Sequence, residues 1–390
     1  MAGAFLVLMV GFGAAYSYAA FADEIAAAFG TSRASVSVVF ALCGGTCFFA
    51  SAVSGPLADR VGPRSLAAAG MVAVGLGLAL AGAARSLLDV LLCYGLLTGL
   101  GVGLAYVPAV AAVQRWFVAR RGLASGIAAS GIGFGTALVP PAAEALSRFG
   151  DWRVALTVLG PAAALVGLAG ALLLDASPEG RGLRADGGPG TATAPPEALT
   201  VTGVVRTRAF ALAYAGALLV SIPVSLPFAH LAASALDLGL PRTEALGLVG
   251  LIGLGSIAGR FALGALADAA GRRATFLFCC AGVAAATLLW AVADAAPLLR
   301  AFAFSFGALY GGFVALLPAF VTDCFGRRSA GGVIGLLYTS RGVALLAGPP
   351  AVALGAEFAD AHALPVAAAS ALGLLGTVLL ALARPPATAP

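Results

Sequence analysis

Long apolar runs, separated by short polar stretches, set the pattern of this chain. A run of about 20 apolar residues is the length that an α-helix needs to cross ~30 Å of hydrocarbon. Twelve such runs, numbered here as spans 1 to 12, can be drawn near residues 3–22, 36–57, 65–84, 87–111, 122–146, 154–174, 209–233, 245–267, 274–294, 298–321, 331–354 and 363–383. The pattern predicts an all-α membrane protein with twelve transmembrane helices.

A ten-residue segment occurs twice, once after span 2 and once after span 8. The copies are Gly55–Arg64 and Gly264–Arg273, at a constant offset of 268 − 59 = 209. The shared positions are Gly55/Gly264, Leu57/Leu266, Ala58/Ala267, Asp59/Asp268, Gly62/Gly271 and Arg64/Arg273. This repeat predicts two homologous six-helix halves, residues 1–175 and 209–390. Residues 176–208 contain turn-rich Gly and Pro clusters and are predicted to form a cytoplasmic linker.

Composition and charge extend this picture. The chain is 61% hydrophobic and 10% charged, with a mean hydropathy of +1.02, which excludes an ordinary soluble domain. Lysine is absent, so all 22 basic residues are arginine. With both termini in the cytoplasm, that side holds the fourteen arginines 60, 64, 115, 120, 121, 181, 184, 206, 208, 272, 273, 327, 328 and 384, and the opposite side holds the six arginines 33, 85, 148, 153, 242 and 300.

That bias satisfies the positive-inside rule for short loops. The net charge of +5 is therefore interpreted as a topology signal, with no indication of a nucleic-acid partner. We also expect no cleaved signal peptide, since no small-residue cleavage site follows the first apolar run. The six cysteines form no metal-ligand pattern, and the spans offer no nucleophile or acid pair for catalysis. We expect neither an enzyme nor a cofactor or metal.

The repeated Gly-x-Leu-Ala-Asp-x-x-Gly-x-Arg segment resembles the signature loop of the major facilitator superfamily. The resemblance implies a charge network that latches a cytoplasmic gate, formed here by Asp59, Arg60, Arg64, Asp268 and Arg273. Ala269 stands where the first copy has Arg60, so the second latch is expected to be weaker. The alternative is that these arginines only fix topology and cap helix ends.

A narrower resemblance covers most of the chain. It is carried by Tyr94-Gly, Tyr106-Val-Pro108, Gln114-Arg-Trp-Phe117, Arg120-Arg-Gly-Leu-Ala-Ser-Gly126, Ser130-Gly-Ile-Gly133, Pro140-Pro141, Trp152-Arg153, Pro227-Phe-Ala-His230, Asp237-Leu-Gly239, Gly259-Arg260 and Tyr338-Thr-Ser-Arg-Gly342. Together these segments resemble the branch of the superfamily that contains monocarboxylate transporters and oxalate:formate antiporters.

Arg260 and Arg341 are the two arginines that fall in the interior of predicted spans, whereas Arg300 lies among the first residues of span 10. A charged residue there costs about 2.5–3.5 kcal/mol on insertion scales, so it points to function. At the offset of 209, Arg260 corresponds to Ser51 and Arg341 to Ile132, so neither arginine belongs to the duplicated scaffold. Because a guanidinium can hold a carboxylate through two parallel hydrogen bonds, both are candidate ligands for an organic anion. The alternative is pairing with a buried acid.

The second resemblance implies further roles. In that branch the arginine of span 8 is the carboxylate ligand, and the oxalate antiporters carry a second basic residue in span 11. Arg341 stands where the resembling antiporter has lysine. Ser256 stands where animal monocarboxylate transporters have an aspartate, and span 1 has no basic residue, so their proton mechanism does not transfer directly.

Five other polar residues complete the candidate site, and Ser256 in span 8 is one of the predicted substrate ligands. Tyr106 and Tyr338 can donate hydrogen bonds to an anion, and Tyr338 lies on nearly the same helix face as Arg341. His230 can titrate near neutral pH, and the resemblance adds Asp237 as a second candidate for proton coupling.

The sequence thus predicts a secondary transporter of small mono- or dicarboxylates that works by alternating access, with exchange favoured. The alternative is a proton-coupled symporter of lactate- or pyruvate-type monocarboxylates. A drug or sugar carrier rarely needs two central arginines, and a transport-derived sensor would need a signalling domain. The arginine-rich, lysine-free composition resembles a GC-rich bacterial genome, so we expect a monomer in a bacterial cytoplasmic membrane whose partners are lipid, the anion and protons.

Overall fold

The computed structural model describes residues 1–178, 183, 185, 200–326, 330–359 and 363–384. Within these residues the chain forms twelve long helices and one short helix, Val201–Val205. The long helices are α1 (Ala2–Phe29), α2 (Arg33–Val61), α3 (Pro63–Gly82), α4 (Leu87–Trp116), α5 (Arg121–Ser147), α6 (Trp152–Leu172), α7 (Arg208–Asp237), α8 (Arg242–Ala270), α9 (Arg272–Ala291), α10 (Ala296–Phe325), α11 (Ala330–Ala359) and α12 (Ala363–Leu382).

The long helices confirm the predicted all-α membrane fold. Eleven of them contain a segment long and apolar enough to cross a membrane. The twelfth, α1, consists of the segments Ala2–Tyr18 and Ala20–Phe29, bent by 42°, and it meets the same criterion when both segments are counted as one span. The chain is therefore a multi-pass membrane protein.

Several helices run beyond the apolar runs that predicted them. Span 1 was predicted to end near residue 22, yet α1 continues through Asp23 and Glu24 to Phe29. Backbone hydrogen bonding continues after the hydrocarbon ends, because helix formation requires no apolar side chain. The helix stops at Gly30, whose φ of 60° places it in the left-handed conformation typical of helix C-caps.

The predicted linker falls mostly outside the described residues. Residues 179–182, 184 and 186–199 of the interval 176–208 belong to this part, and so do Arg181 and Arg184 of the topology argument. Arg327 and Arg328 also lie outside the described residues.

The described residues divide into two compact units. Unit 1 draws on Met1–Val118, Ile127–Gly188 and Ala330–Gly342, and unit 2 on Ala119–Gly126, Pro189–Ser329 and Val343–Pro390. In unit 1, α3 packs along α6 and α4, and α2 packs along α4. In unit 2, α9 packs along α12 and α10, and α8 packs along α10. Each unit thus repeats the packing order of the other, as the sequence duplication predicts.

Small residues bring α8 and α10 close together. A Cβ atom on Gly259 would collide with the backbone of Ala308, and a Cβ atom on Gly311 would collide with the backbone of Ser256. Such close approach is how helices pack in a bilayer, where hydrophobicity alone does not drive helices together. These contacts hold the part of α8 that carries Ser256 and Arg260.

Candidate functional site

Arg341 lies in an aromatic cluster within unit 1. Its side chain is 7% exposed, and its guanidinium carbon lies 5.2 Å from the ring centroid of Phe48 and 5.8 Å from that of Tyr338. These distances are within the range of cation–π attraction, which orients the guanidinium against the two rings. Tyr338 is fully buried.

Tyr106 joins the same cluster through Tyr338. The two phenol rings are stacked, with centroids 5.0 Å apart and planes inclined by 21°, and the Tyr106 hydroxyl donates to the Tyr338 hydroxyl at 3.2 Å. Phe12 packs edge-on against Tyr106 at 5.0 Å. The structure therefore brings together three of the predicted site residues, Tyr106, Tyr338 and Arg341.

Arg260 and Ser256 lie in unit 2, one turn apart on α8. Arg260 is 1% exposed and Ser256 is 4% exposed. The Ser256 hydroxyl is buried and has no hydrogen-bond partner among the described residues. Residues four positions apart share a helix face, so this hydroxyl and the guanidinium can contact one ligand.

The flank of α8 nearer its N-terminus borders open space. A Cβ atom on Gly247, Gly250 or Gly253 would meet nothing within 4 Å. Towards the other end of α8, a Cβ atom on Gly264 would lie 2.8 Å from the Gly122 carbonyl oxygen. The three glycines near the N-terminus of α8 therefore have free space beside them, whereas Gly264, near the repeated loop, is in close contact with Gly122.

The two candidates for proton coupling lie on α7. His230 is half-buried, and its backbone carbonyl accepts a hydrogen bond from the Ser234 hydroxyl at 3.2 Å. Asp237 is the last residue of α7 and is exposed.

The aspartates of the repeated loops accept hydrogen bonds from the N-termini of two helices. In unit 2, the N–H groups of Gly122 and Leu123 donate to the Asp268 carboxylate, each at 2.8 Å. In unit 1, Gly332 donates to Asp59 at 2.9 Å, and the Gly331 N–H does so as well. The first turn of a helix leaves its N–H groups without helical partners and carries positive dipole charge, so a carboxylate stabilises it.

The two sets of contacts are related by the offset of 209. Gly122 and Leu123 contact Asp268, and their equivalents Gly331 and Gly332 contact Asp59. Helix packing one turn further along the same helices follows this offset as well. A Cβ atom on Gly335 would collide with the Ser51 carbonyl oxygen, and one on Gly126 would collide with that of Arg260. Arg260 and Ser51 are therefore structurally equivalent, as the offset predicted.

The second copy of the loop carries the larger ion-pair network among the described residues. In unit 1, Asp59 pairs with Arg115. In unit 2, Asp323 pairs with Arg121 and, at 2.7 Å, with Arg272, which also lies 3.6 Å from Asp268.

The sequence had predicted a weaker second latch because Ala269 replaces Arg60. The Arg60 side chain, however, is exposed. At the offset of 209, Arg272 and Asp323 correspond to Pro63 and Gln114, so the second copy has charges that the first does not. The comparison of Arg60 with Ala269 did not identify Arg272 and Asp323 as members of the network. It did not identify Arg115 and Arg121 either.

Arg64 and Arg273 each form hydrogen bonds at the C-terminal end of another helix in the same unit. The Arg64 Nε donates to the carbonyl oxygen of Leu174 at 3.0 Å, just after α6, and its guanidinium pairs with Asp175 at 3.1 Å. Arg273 donates to the carbonyl oxygens of Ala383 and Ala381 at 2.9 and 2.8 Å, at the end of α12. These bonds give hydrogen-bond partners to carbonyl oxygens that a helix C-terminus leaves without helical ones.

We expect Arg64→Ala and Arg273→Ala each to lower the melting temperature of the purified protein. The loss of charge-assisted hydrogen bonds should cost about 1–2 kcal/mol, which shifts the transition by roughly 2–6 °C. Thermal unfolding in detergent measures the shift. Arg60→Ala, which removes an exposed side chain from the same loop, serves as the control, and an equal loss of stability in that variant would contradict the assignment.

Comparison with known proteins identifies relatives over the whole fold. Residues 3–349 and 226–390 match the sequence model of the family described as the Major Facilitator Superfamily. Monocarboxylate transporter 12-B of Danio rerio is 33% identical over 306 residues, which cover 70% of this chain and 63% of that protein. Monocarboxylate transporter 13 of Bos taurus is 32% identical over 320 residues, which cover 80% and 72%. This chain thus spans less than two thirds of the first of these relatives.

A solved structure shows the same fold. The proton:xylose symporter XylE, bound to 6-bromo-6-deoxy-D-glucose, superposes with a TM-score of 0.76 at 14% identity, over 98% of this chain and 95% of that one. The predicted resemblance to monocarboxylate transporters is confirmed by the sequence matches. The relatives and the solved structure named here are transporters.

Proposed function

Because this chain belongs to the major facilitator superfamily and is a membrane transporter related to monocarboxylate transporters, we propose that it carries small organic carboxylates. Arg260 of unit 2 and Arg341 of unit 1 are the proposed carboxylate ligands, and transport proceeds by alternating access. Exchange of one anion for another is the favoured mode.

The burial of two arginines inside membrane helices carries this proposal. Arg260 is 1% exposed and Arg341 is 7% exposed. Placing a guanidinium there costs free energy that a neutral residue would not, and the duplicated scaffold holds serine and isoleucine at the corresponding positions. A bound carboxylate offsets this cost because it supplies opposite charge and accepts two parallel hydrogen bonds.

The neighbours of the arginines favour a small, hydrogen-bonding anion. The stacked pair of Tyr106 and Tyr338 presents two hydroxyl groups beside Arg341, and Ser256 presents one beside Arg260. Phenol rings also restrict the volume around the anion.

Exchange is favoured because a bound anion brings opposite charge to buried guanidiniums, which should let the loaded transporter change conformation faster than the empty one. Asp59 and Asp268 would latch the cytoplasmic ends of α11 and α5 in one conformation and release them in the other, because each aspartate caps a helix N-terminus.

Proton symport of a monocarboxylate is the second candidate. Two relatives carry the name monocarboxylate transporter, and His230 and Asp237 on α7 are titratable groups. Ser256, where the resemblance places an aspartate in animal monocarboxylate transporters, argues against it, because a serine hydroxyl keeps its proton at physiological pH and cannot exchange it as a carboxylate can.

Counterflow in proteoliposomes tests the function. Vesicles are preloaded with oxalate, formate, lactate, pyruvate or a short dicarboxylate, and labelled anion is added outside. We expect transient accumulation of label that depends on the internal anion and not on a pH gradient. Accumulation driven by a pH gradient alone would favour proton symport, and no accumulation with any carboxylate would contradict the proposed cargo.

For localisation we propose a bacterial cytoplasmic membrane, both termini in the cytoplasm and a monomer as the working unit. Support comes from the fourteen-to-six arginine bias and from the absence of lysine.

A further inference from the structure

The hydroxyl group of Tyr94 lies at the bend of α1, within unit 1. The two segments of α1, Ala2–Tyr18 and Ala20–Phe29, meet at 42°. Tyr94 belongs to α4 and is fully buried, and its hydroxyl donates to the carbonyl oxygen of Ala14. The same hydroxyl lies 3.3 Å from the Ala15 carbonyl oxygen. Carbonyl groups in the middle of an α-helix accept the N–H of the residue four positions on, so the Tyr94 hydroxyl adds a side-chain donor to an acceptor of the helical hydrogen-bond ladder.

A second hydroxyl group contacts the same carbonyl. The Ser17 Oγ donates to the Ala14 oxygen at 2.8 Å and lies 3.1 Å from the Tyr94 hydroxyl. Sharp bends in helices arise where a side chain enters the backbone hydrogen-bond ladder, and serine that bonds back to its own helix favours bending. The bend in α1 therefore has a local chemical cause.

The segment that carries Tyr94 is itself irregular. Residues Leu91–Thr98 of α4 form a π-helix, a rare conformation that occurs frequently at functional sites. A Cβ atom on Gly99 would collide with the backbone of Cys43, so the end of this segment is pressed against α2. Tyr94 thus links the bend in α1 to a backbone held by a third helix.

The segment beyond the bend has its own anchor. The Glu24 carboxylate accepts a hydrogen bond from the Trp152 N–H, at the start of α6, at 3.1 Å, and the ring of Phe29 packs edge-on against Trp152 at 6.0 Å. The segment Ala20–Phe29 is therefore held by contacts with the start of α6 at the end farthest from the bend.

We propose that Tyr94 is a positioning residue that holds α1 in its bent form, and that release of its hydroxyl from the Ala14 carbonyl lets α1 straighten during the transport cycle. The role of Tyr94 in the transport cycle rests on the proposed function. Its role in stabilising the bend is independent of that function, because it is argued from contacts inside unit 1.

Hydrogen–deuterium exchange on the purified full-length protein in lipid nanodiscs tests the proposal without any substrate. Tyr94→Phe removes the hydroxyl and keeps the buried ring, and we expect amides near residues 14–22 to exchange about threefold to tenfold faster, as the loss of one hydrogen bond implies. Tyr18→Phe is the matched control, because the Tyr18 hydroxyl is buried in the same cluster but has no hydrogen-bond partner among the described residues.

Unchanged exchange in Tyr94→Phe, or an equal rise in Tyr18→Phe, would overturn the proposal. If Tyr94→Phe does not purify, Ser17→Ala, which removes the second hydroxyl at Ala14, is read in the same way. In vesicles that transport a carboxylate, Tyr94→Phe should lower the maximal rate about threefold to tenfold and change KM less than twofold. An unchanged maximal rate would overturn the link between the bend and transport, whereas failure of every carboxylate in counterflow would leave the exchange result standing.

Discussion

Arg260→Ala should abolish carboxylate transport while the protein still inserts and folds. The variant removes the charge that we assign to the carboxylate and leaves a small residue among the close-packed glycines of α8 and α10. Loss of one partner from a buried, hydrogen-bonded charge pair costs about 2–5 kcal/mol, so uptake should fall by roughly 100-fold or more. Initial uptake rates in proteoliposomes, normalised to the amount of reconstituted protein, measure the effect.

Arg300→Ala is the matched control for this experiment. Arg300 lies in the same unit, is largely exposed and pairs with Glu244 at the surface, where an ion pair contributes less than about 1 kcal/mol. We expect its uptake to remain near that of the unmodified protein. Full transport by Arg260→Ala would contradict the assignment of Arg260 as the carboxylate ligand.

Arg341→Ala should separate dicarboxylates from monocarboxylates. If each arginine holds one carboxylate, the variant loses exchange of a dicarboxylate such as oxalate by about 100-fold and retains a larger share of its transport of formate or lactate. Arg341→Lys keeps the positive charge but not the planar pair of donors, so it should recover part of the lost activity. Counterflow with both classes of anion measures the ratio.

Tyr338→Phe is the control for the ratio of dicarboxylate to monocarboxylate transport. It keeps the ring beside Arg341 and removes the hydroxyl that accepts from Tyr106, so both classes of anion should decline by a similar factor. An unchanged dicarboxylate rate in Arg341→Ala would show that Arg341 serves another role.

The sequence predicted the helices because membrane thickness constrains the length of an apolar run. It also predicted which positions are equivalent, since the offset of 209 relates Asp59 to Asp268. The structure extends that offset to partners the sequence alone did not identify. Arg64 donates to Leu174 and Arg273 donates to Ala383, and these carbonyls again differ by 383 − 174 = 209.

Other partners could not be found in this way because they break the symmetry or join distant positions. Asp323 pairs with Arg121, 202 residues away, and it corresponds to uncharged Gln114 in the first copy. The bend between Tyr18 and Ala20 was also missed, because α1 carries no proline or glycine there. The contact of Tyr94 on the neighbouring α4 with Ala14 joins positions 80 residues apart, which the sequence pattern does not reveal.

The two aspartate caps have a consequence for the origin of the protein. In a dimer with two-fold symmetry, every contact occurs twice, with the roles of the two copies exchanged. Asp59 with Gly332 and Asp268 with Leu123 form such a reciprocal pair, and so do Gly55 with Gly331 and Gly264 with Gly122. Equivalent positions of the two sequence copies thus make these contacts reciprocally, as copies of one ancestral segment would, whereas Arg260 and Arg341 are matched by Ser51 and Ile132.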